Sequence, residues 1–115
     1  MRMQDLKART KKFALDVIRY CRTLPRSDEF QIIRRQLIRS ATSVASNYRS
    51  AQRAKSKADF ISKLGTAEEE ADESLLWLEC LAELATREHP ELKRLVEEAD
   101  ELVAILTSSR KSARG

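Results

Sequence analysis

Apolar residues return every three or four positions along almost the whole chain, in four separate stretches. That spacing is the α-helical period and not the alternation of a half-buried strand. Two glycines, two prolines and 5% aromatic residues also disfavour a β-protein, which needs turns and β-formers. The 115 residues fit one domain with a modest core.

The first helix is expected from about residue 4 to 22, with Leu6, Phe13, Ala14, Val17, Ile18 and Cys21 on one stripe. Pro25 prevents its continuation. The second is expected over 28–52, with Ser27 at the N-cap and Asp28 and Glu29 suited to the positive helix end. Its inward stripe is Ile33, Leu37, Ala41, Val44 and Tyr48. Ser56 followed three residues later by Asp59 has the capping-box form and starts a third helix over 57–87. Phe60, Leu64, Ala67, Ala71, Leu75, Leu78 and Ala82 are its core stripe, and Gly65 marks a close backbone contact. The fourth is expected over 90–107, opened by Pro90 at the first helical position. Its stripe is Leu92, Leu95, Val96, Ala99, Leu102, Val103 and Leu106, and SSRKSARG follows as a polar, frayed tail. Short connections make sequential helices neighbours. The expected fold is an all-α, antiparallel up-down-up-down four-helix bundle over residues 1–109, with 110–115 as tail.

From Leu75 to Ala85 apolar residues cover most of the helix circumference, leaving Glu79 and Glu83 as a narrow wet edge. A helix apolar nearly all round is buried on more than one side. A four-helix monomer does not supply that cover, so Leu76, Trp77, Cys80, Leu81 and Leu84 are expected at a subunit interface of a homo-oligomer.

The net charge of +4 conceals a division. Residues 1–63 hold 16 basic and 5 acidic side chains, hence +11; residues 64–115 hold 6 basic and 13 acidic, hence −7. The basic half is densest from Arg34 to Lys63, with eight Lys or Arg and a single acid, Asp59. Turning about 100° per residue puts Arg35, Arg39, Arg49 and Arg53 within roughly 40° of one line, opposite the apolar stripe. Arginine keeps its charge and donates two parallel hydrogen bonds to phosphate. These four, with Lys55 and Lys57, are the candidate nucleic-acid contacts. The competing expectation is a solvated face, or one paired with the acidic half of a neighbouring subunit.

No other constellation carries chemistry. His89 is the single histidine, in an expected turn, so the cluster Glu68, Glu69, Glu70, Asp72 and Glu73 lacks the Glu-x-x-His partners of a di-iron bundle. No metal, cofactor or catalytic residue is expected, because no base is placed beside a nucleophile and no Gly-rich phosphate loop exists. Cys21 and Cys80 read as reduced, buried thiols. Asn47 and Ser43 are expected to hydrogen-bond beside the core. Tyr48 and Trp77 read as core or interface aromatics with polar tips near water. No apolar run approaches the ~18–20 residues of a membrane span, and MRMQDLKARTKKF has no signal-peptide core. A cytoplasmic protein without membrane contact is expected.

Residues 36–80 carry a family resemblance. Gln36-Leu37, Arg39-Ser40-Ala41, Ala45-Ser46-Asn47-Tyr48-Arg49, Arg53-Ala54-Lys55-Ser56, Asp59 to Gly65, Glu70 to Ser74 and Trp77-Leu78-Glu79 resemble a bacterial four-helix bundle family. That family is related to proteins encoded in intervening sequences of 23S ribosomal RNA genes. The resemblance implies an up-down bundle assembled as a ring, often a homopentamer. It extends to the accessory protein of diversity-generating retroelements, and so implies nucleic acid and a larger protein, a reverse transcriptase, as partners. The chain departs from the intervening-sequence branch at Asn47-Tyr48-Arg49-Ser50-Ala51. A non-enzymatic oligomer binding RNA or DNA electrostatically is expected; the alternative is an interaction module whose charges serve subunit assembly.

Overall fold

Each apolar stripe becomes one helix, and the four helices pack into a bundle. The computed structural model describes residues 2–115, with α1 at Met3–Cys21, α2 at Asp28–Gln52, α3 at Lys57–Leu84 and α4 at Pro90–Arg114. No strand occurs among the described residues. α1 packs on α2, α2 on α3, α3 on α4 and α4 on α1, with no close approach of backbones across either diagonal among the described residues. The result is a rod of 45 × 21 × 19 Å.

The core runs along the axis. Phe13 and Val17 from α1, Leu37 and Val44 from α2, Leu64 and Leu78 from α3, and Leu95 and Leu102 from α4 are almost entirely shielded. Ala41, Ala67, Ala71 and Ala99 are also fully buried, and their small side chains let the helices approach. Ser40 and Ser74 meet in this seam, the Ser74 hydroxyl 2.9 Å from that of Ser40. Each hydroxyl also bonds a carbonyl of its own helix, Leu37 and Glu70 respectively, so the buried polar pair is satisfied.

Local signals explain the helix starts. The Asp59 amide donates to Ser56 Oγ at 3.0 Å, while Asp59 Oδ2 accepts from the Lys55 amide at 3.2 Å. Ser27 occupies the N-cap of α2, but its hydroxyl donates to Glu29 instead of capping an amide.

Several expectations are corrected. α3 ends at Leu84, not 87: Ala85 leaves the helical region with ψ 136° and His89 is extended before Pro90, the conformation that a following proline favours. α4 continues to Arg114, so residues 110–114 are helix and not a frayed tail. Ala113 packs against the core and Arg110 reaches α3, which ties the last turns down. In α3, Leu81 and not Ala82 enters the core; Leu81 is 2% exposed, whereas Ala82 faces solvent. Leu81 is therefore absent from the surface that an interface would use. At Gly65 the neighbour is a side chain and not backbone: an added Cβ would lie 3.6 Å from Arg110 Cδ. α1 begins and ends one residue earlier than expected. No helix among the described residues is long and apolar enough to cross a membrane.

Candidate nucleic-acid interface

The arginine stripe lies on one face of α2, but its members have different surroundings. Arg35, Arg49, Arg53, Lys55 and Lys57 are exposed, and none of them makes an ion pair among the described residues. Arg39 is engaged: its Nη1 lies 3.0 Å from Glu70 Oε2, and its Nη2 bonds Glu73 Oε2. The same Glu73 oxygen accepts from Trp77 Nε1 at 3.2 Å. The Arg39 guanidinium, with help from the indole, holds the Glu73 carboxyl below its ordinary 4.5. Arg39 thus belongs to the α2–α3 seam, and its acids come from its own chain.

What remains is one outlying arginine and a cluster. Arg35 and Arg49 are separated by about 21 Å of helix axis. Arg49 and Arg53 close α2, Lys55 lies in the connection and Lys57 opens α3. The four therefore crowd around one turn at one end of the rod.

Part of the charge division is used within the molecule, where the expectation was a pairing with a neighbouring subunit. Arg110 Nε sits 2.6 Å from Glu68 Oε1, and Thr107 donates to Glu68 Oε2 at 2.7 Å. Arg110 holds the Glu68 carboxyl below its usual range, against the opposing effect of burial. Arg9 grips Glu98 through two bonds of 2.7 Å and reaches Glu101 at 3.2 Å, joining α1 to α4. Asp16, shielded in the same seam, accepts from Lys12 at 2.6 Å, Arg94 at 2.9 Å and Arg19 at 3.3 Å. Burial raises its proton affinity, but the bonds from Lys12 and Arg94 prevail and hold it below 3.8. Glu69 and Asp72 stay exposed.

Arg34 has a structural role that its sequence context hides. Its guanidinium donates to the carbonyls of Cys21 at 3.1 Å and of Leu24 and Pro25 at 3.0 Å. It satisfies acceptors that the end of α1 leaves open. Asn47 Nδ2 donates to the Ser43 carbonyl and hydroxyl, both at 2.9 Å. That bond lies within α2 and does not cross to another helix.

The residues expected at a subunit interface differ in exposure. Leu76 is 50% and Leu84 49% exposed, and Trp77 and Cys80 are half-buried beside them. Tyr48 is a core residue, 3% exposed. Cys21 is buried and Cys80 half-buried, both as free thiols. Burial pushes the Cys21 thiol up to about 11, which makes it a poor nucleophile at neutral pH. No three His, Cys, Asp or Glu side chains converge on a metal position among the described residues.

Comparison with known proteins agrees with the fold. The model of the family described as 23S rRNA-intervening sequence protein matches residues 3–108. A crystal structure of a protein of unknown function from the S23 ribosomal protein family of Bacteroides thetaiotaomicron superposes with a TM-score of 0.86 at 30% identity. It covers 96% of this chain and 99% of its own. No curated protein matches.

Proposed function

Because the chain belongs to the 23S rRNA-intervening sequence protein family, we propose that it is a non-enzymatic bundle that binds RNA or DNA through phosphate contacts. One observation carries this: Arg49, Arg53, Lys55 and Lys57 stay exposed and unpaired around one turn, while nearby Arg39 takes the acids of α3. Exposed cations elsewhere, such as Arg22, Arg26 and Lys93, are also without an ion pair among the described residues. What distinguishes Arg49, Arg53, Lys55 and Lys57 is their concentration around one turn, which matches the close spacing of backbone phosphates. The connections of six, four and five residues are too short to lead the chain back along a helix, which supports an up-down-up-down, antiparallel course.

Fluorescence anisotropy with labelled RNA and DNA tests the proposal. Binding is expected in the micromolar range or tighter, largely indifferent to sequence. It should weaken steeply between about 50 and 200 mM salt. Replacing Arg49, Arg53 and Lys55 by Gln should abolish most of it. Absence of salt-sensitive binding by the unaltered protein would sink the idea.

A second reading rests on a separate observation. Leu76 and Leu84 each leave about half of their surface in water, two turns apart on one face of α3. Subunits joined through this face would form the homo-oligomer, a pentameric ring by family resemblance. Light scattering should show an oligomer that Leu76→Glu with Leu84→Glu reduces to monomer; a monomeric native protein refutes it. If the Arg49/Arg53/Lys55 replacements dissociate that oligomer, those charges serve assembly instead.

A further inference from the structure

The α2–α3 turn is one part of a larger basic surface that only the tertiary fold assembles. Gln52 Nε2 donates to the Met3 carbonyl at 3.3 Å, placing the start of α1 beside the end of α2. Arg110 passes over Gly65, and Arg114 shares a small hollow with Ile61 and Ser62, placing the end of α4 on the first turns of α3. All four helices thus contribute an end to the same pole of the rod. Residues 2–11, 46–66 and 104–115, which form it, hold 12 basic and 2 acidic side chains, a net of +10; Glu68 and Glu69, which line the same hollow as Arg114, lower this to +8. Outside those three segments the chain carries 10 basic and 16 acidic, a net of −6, which with their +10 restores the total of +4. Arg9 and Arg110 are drawn into ion pairs. The other ten cations of the pole make none among the described residues.

Helix stability does not account for this surface. Cations at the C-terminal ends of α2 and α4 complement the helix dipole, so Arg49, Lys111 and Arg114 have a structural use. Cations at the N-terminal ends of α1 and α3 oppose it. Arg2 caps α1 and Lys57 is the first residue of α3, with Lys63 in the second turn. Arg2 and Lys57 stand where an acid would serve folding better, although Asp5 and Asp59 occupy the same first turns. Cations at two helix starts of one pole fit a surface that faces an external partner.

We propose that this four-helix pole is a docking surface for the phosphate backbone of duplex or otherwise structured nucleic acid, with α1 and the last turns of α4 contributing alongside the α2–α3 turn. This rests on the nucleic-acid reading above and extends it to residues outside α2. The rod's cross-section of 21 × 19 Å spans about a dozen phosphates of a duplex at one charge per ~1.7 Å, of which one side meets the protein. The aromatics nearest the pole, Tyr48 and Phe60, are buried or packed on the core, so no platform exists for stacking single-stranded bases. Met3 is the one large exposed apolar residue of the pole among those described, which leaves an anionic bilayer little to take up.

The test uses residues that the α2 reading does not need. The full-length protein and the variant Arg2→Gln/Lys63→Gln/Lys111→Gln/Arg114→Gln are titrated with a labelled duplex two helical turns long across a salt series. The unaltered protein should show a log–log salt slope of about −7. The variant should bind about tenfold or more weakly, with a slope flatter by about three to four. Arg2→Gln/Lys63→Gln alone should lose about half of that change, and it removes no cation that steadies a helix end. Circular dichroism should be unchanged for both. Arg35→Gln, remote from the pole, should bind like the unaltered protein. If the unaltered protein binds and the pole variants match it, the pole is refuted while the α2 surface stands. If the unaltered protein binds no nucleic acid, both fall. Tighter binding at equal salt to vesicles containing phosphatidylserine than to the duplex also overturns the proposal and reassigns the pole to a lipid surface.

Discussion

Arg39 and Arg49 lie on the same helix face and have opposite fates. Arg39 meets Glu70 and Glu73 across the α2–α3 seam, whereas Arg49, beyond the reach of any acid, stays in solvent. Their consequences for stability should differ accordingly. Arg39 lowers the proton affinity of Glu73 in the folded state. A depressed folded value contributes stability above the ordinary 4.5 that is lost as pH falls through the folded value. Arg39→Gln should therefore reduce stability near neutrality and flatten its decline below pH 4.5. Arg49→Gln should cost only the small contribution of a cation at the end of α2, about 0.3–1 kcal/mol, and leave the shape of the acid decline unchanged. Denaturation midpoints measured from neutral to acidic pH check this, and identical profiles for the two variants would remove Arg39 from the seam.

Among the helices, α4 is the one whose role changes most when the fold is considered. Its last turns look polar and expendable, yet they cover the start of α3. Arg110 crosses Gly65 at 3.6 Å from where a Cβ would stand, and it binds Glu68. Ala113 packs on the core. Deleting residues 108–115 should therefore lower the melting temperature, by about 3–10 °C for a domain of this size. Thermal melts followed by circular dichroism give the answer; an unchanged transition would mean that the last turns contribute nothing to the fold.

At the level of the whole molecule, the closing seam between α1 and α4 is the one most dependent on charge. Arg9 with Glu98 and Glu101, and Asp16 with Arg94, bridge it. The Arg9 and Glu98 side chains keep 25% and 20% of their surface in water, so solvent screens the pair. Glu98→Gln should cost about 1 kcal/mol or less, and the deficit should shrink in about 1 M salt. Urea titrations at low and high salt measure it, and a deficit independent of salt would place the effect in packing.

Sequence alone determined the four helices, the capping box at Ser56 and the inward faces. Ile33, Leu37, Ala41, Val44 and Tyr48 are all buried as their spacing requires. Helical period is a local property: 3.6 residues per turn decide which side chains share a face wherever the helix goes. The family was legible for a related reason, since the motifs of residues 36–80 lie within continuous stretches of chain. The partners of charged side chains were not legible. Long, flexible Arg and Glu side chains choose among neighbours supplied by other helices. Only packing put Glu70 and Glu73 beside Arg39, Glu68 beside Arg110 and three carbonyls around Arg34. The same cause hid the basic pole, because its cations are far apart in the chain and meet only where four helix ends converge.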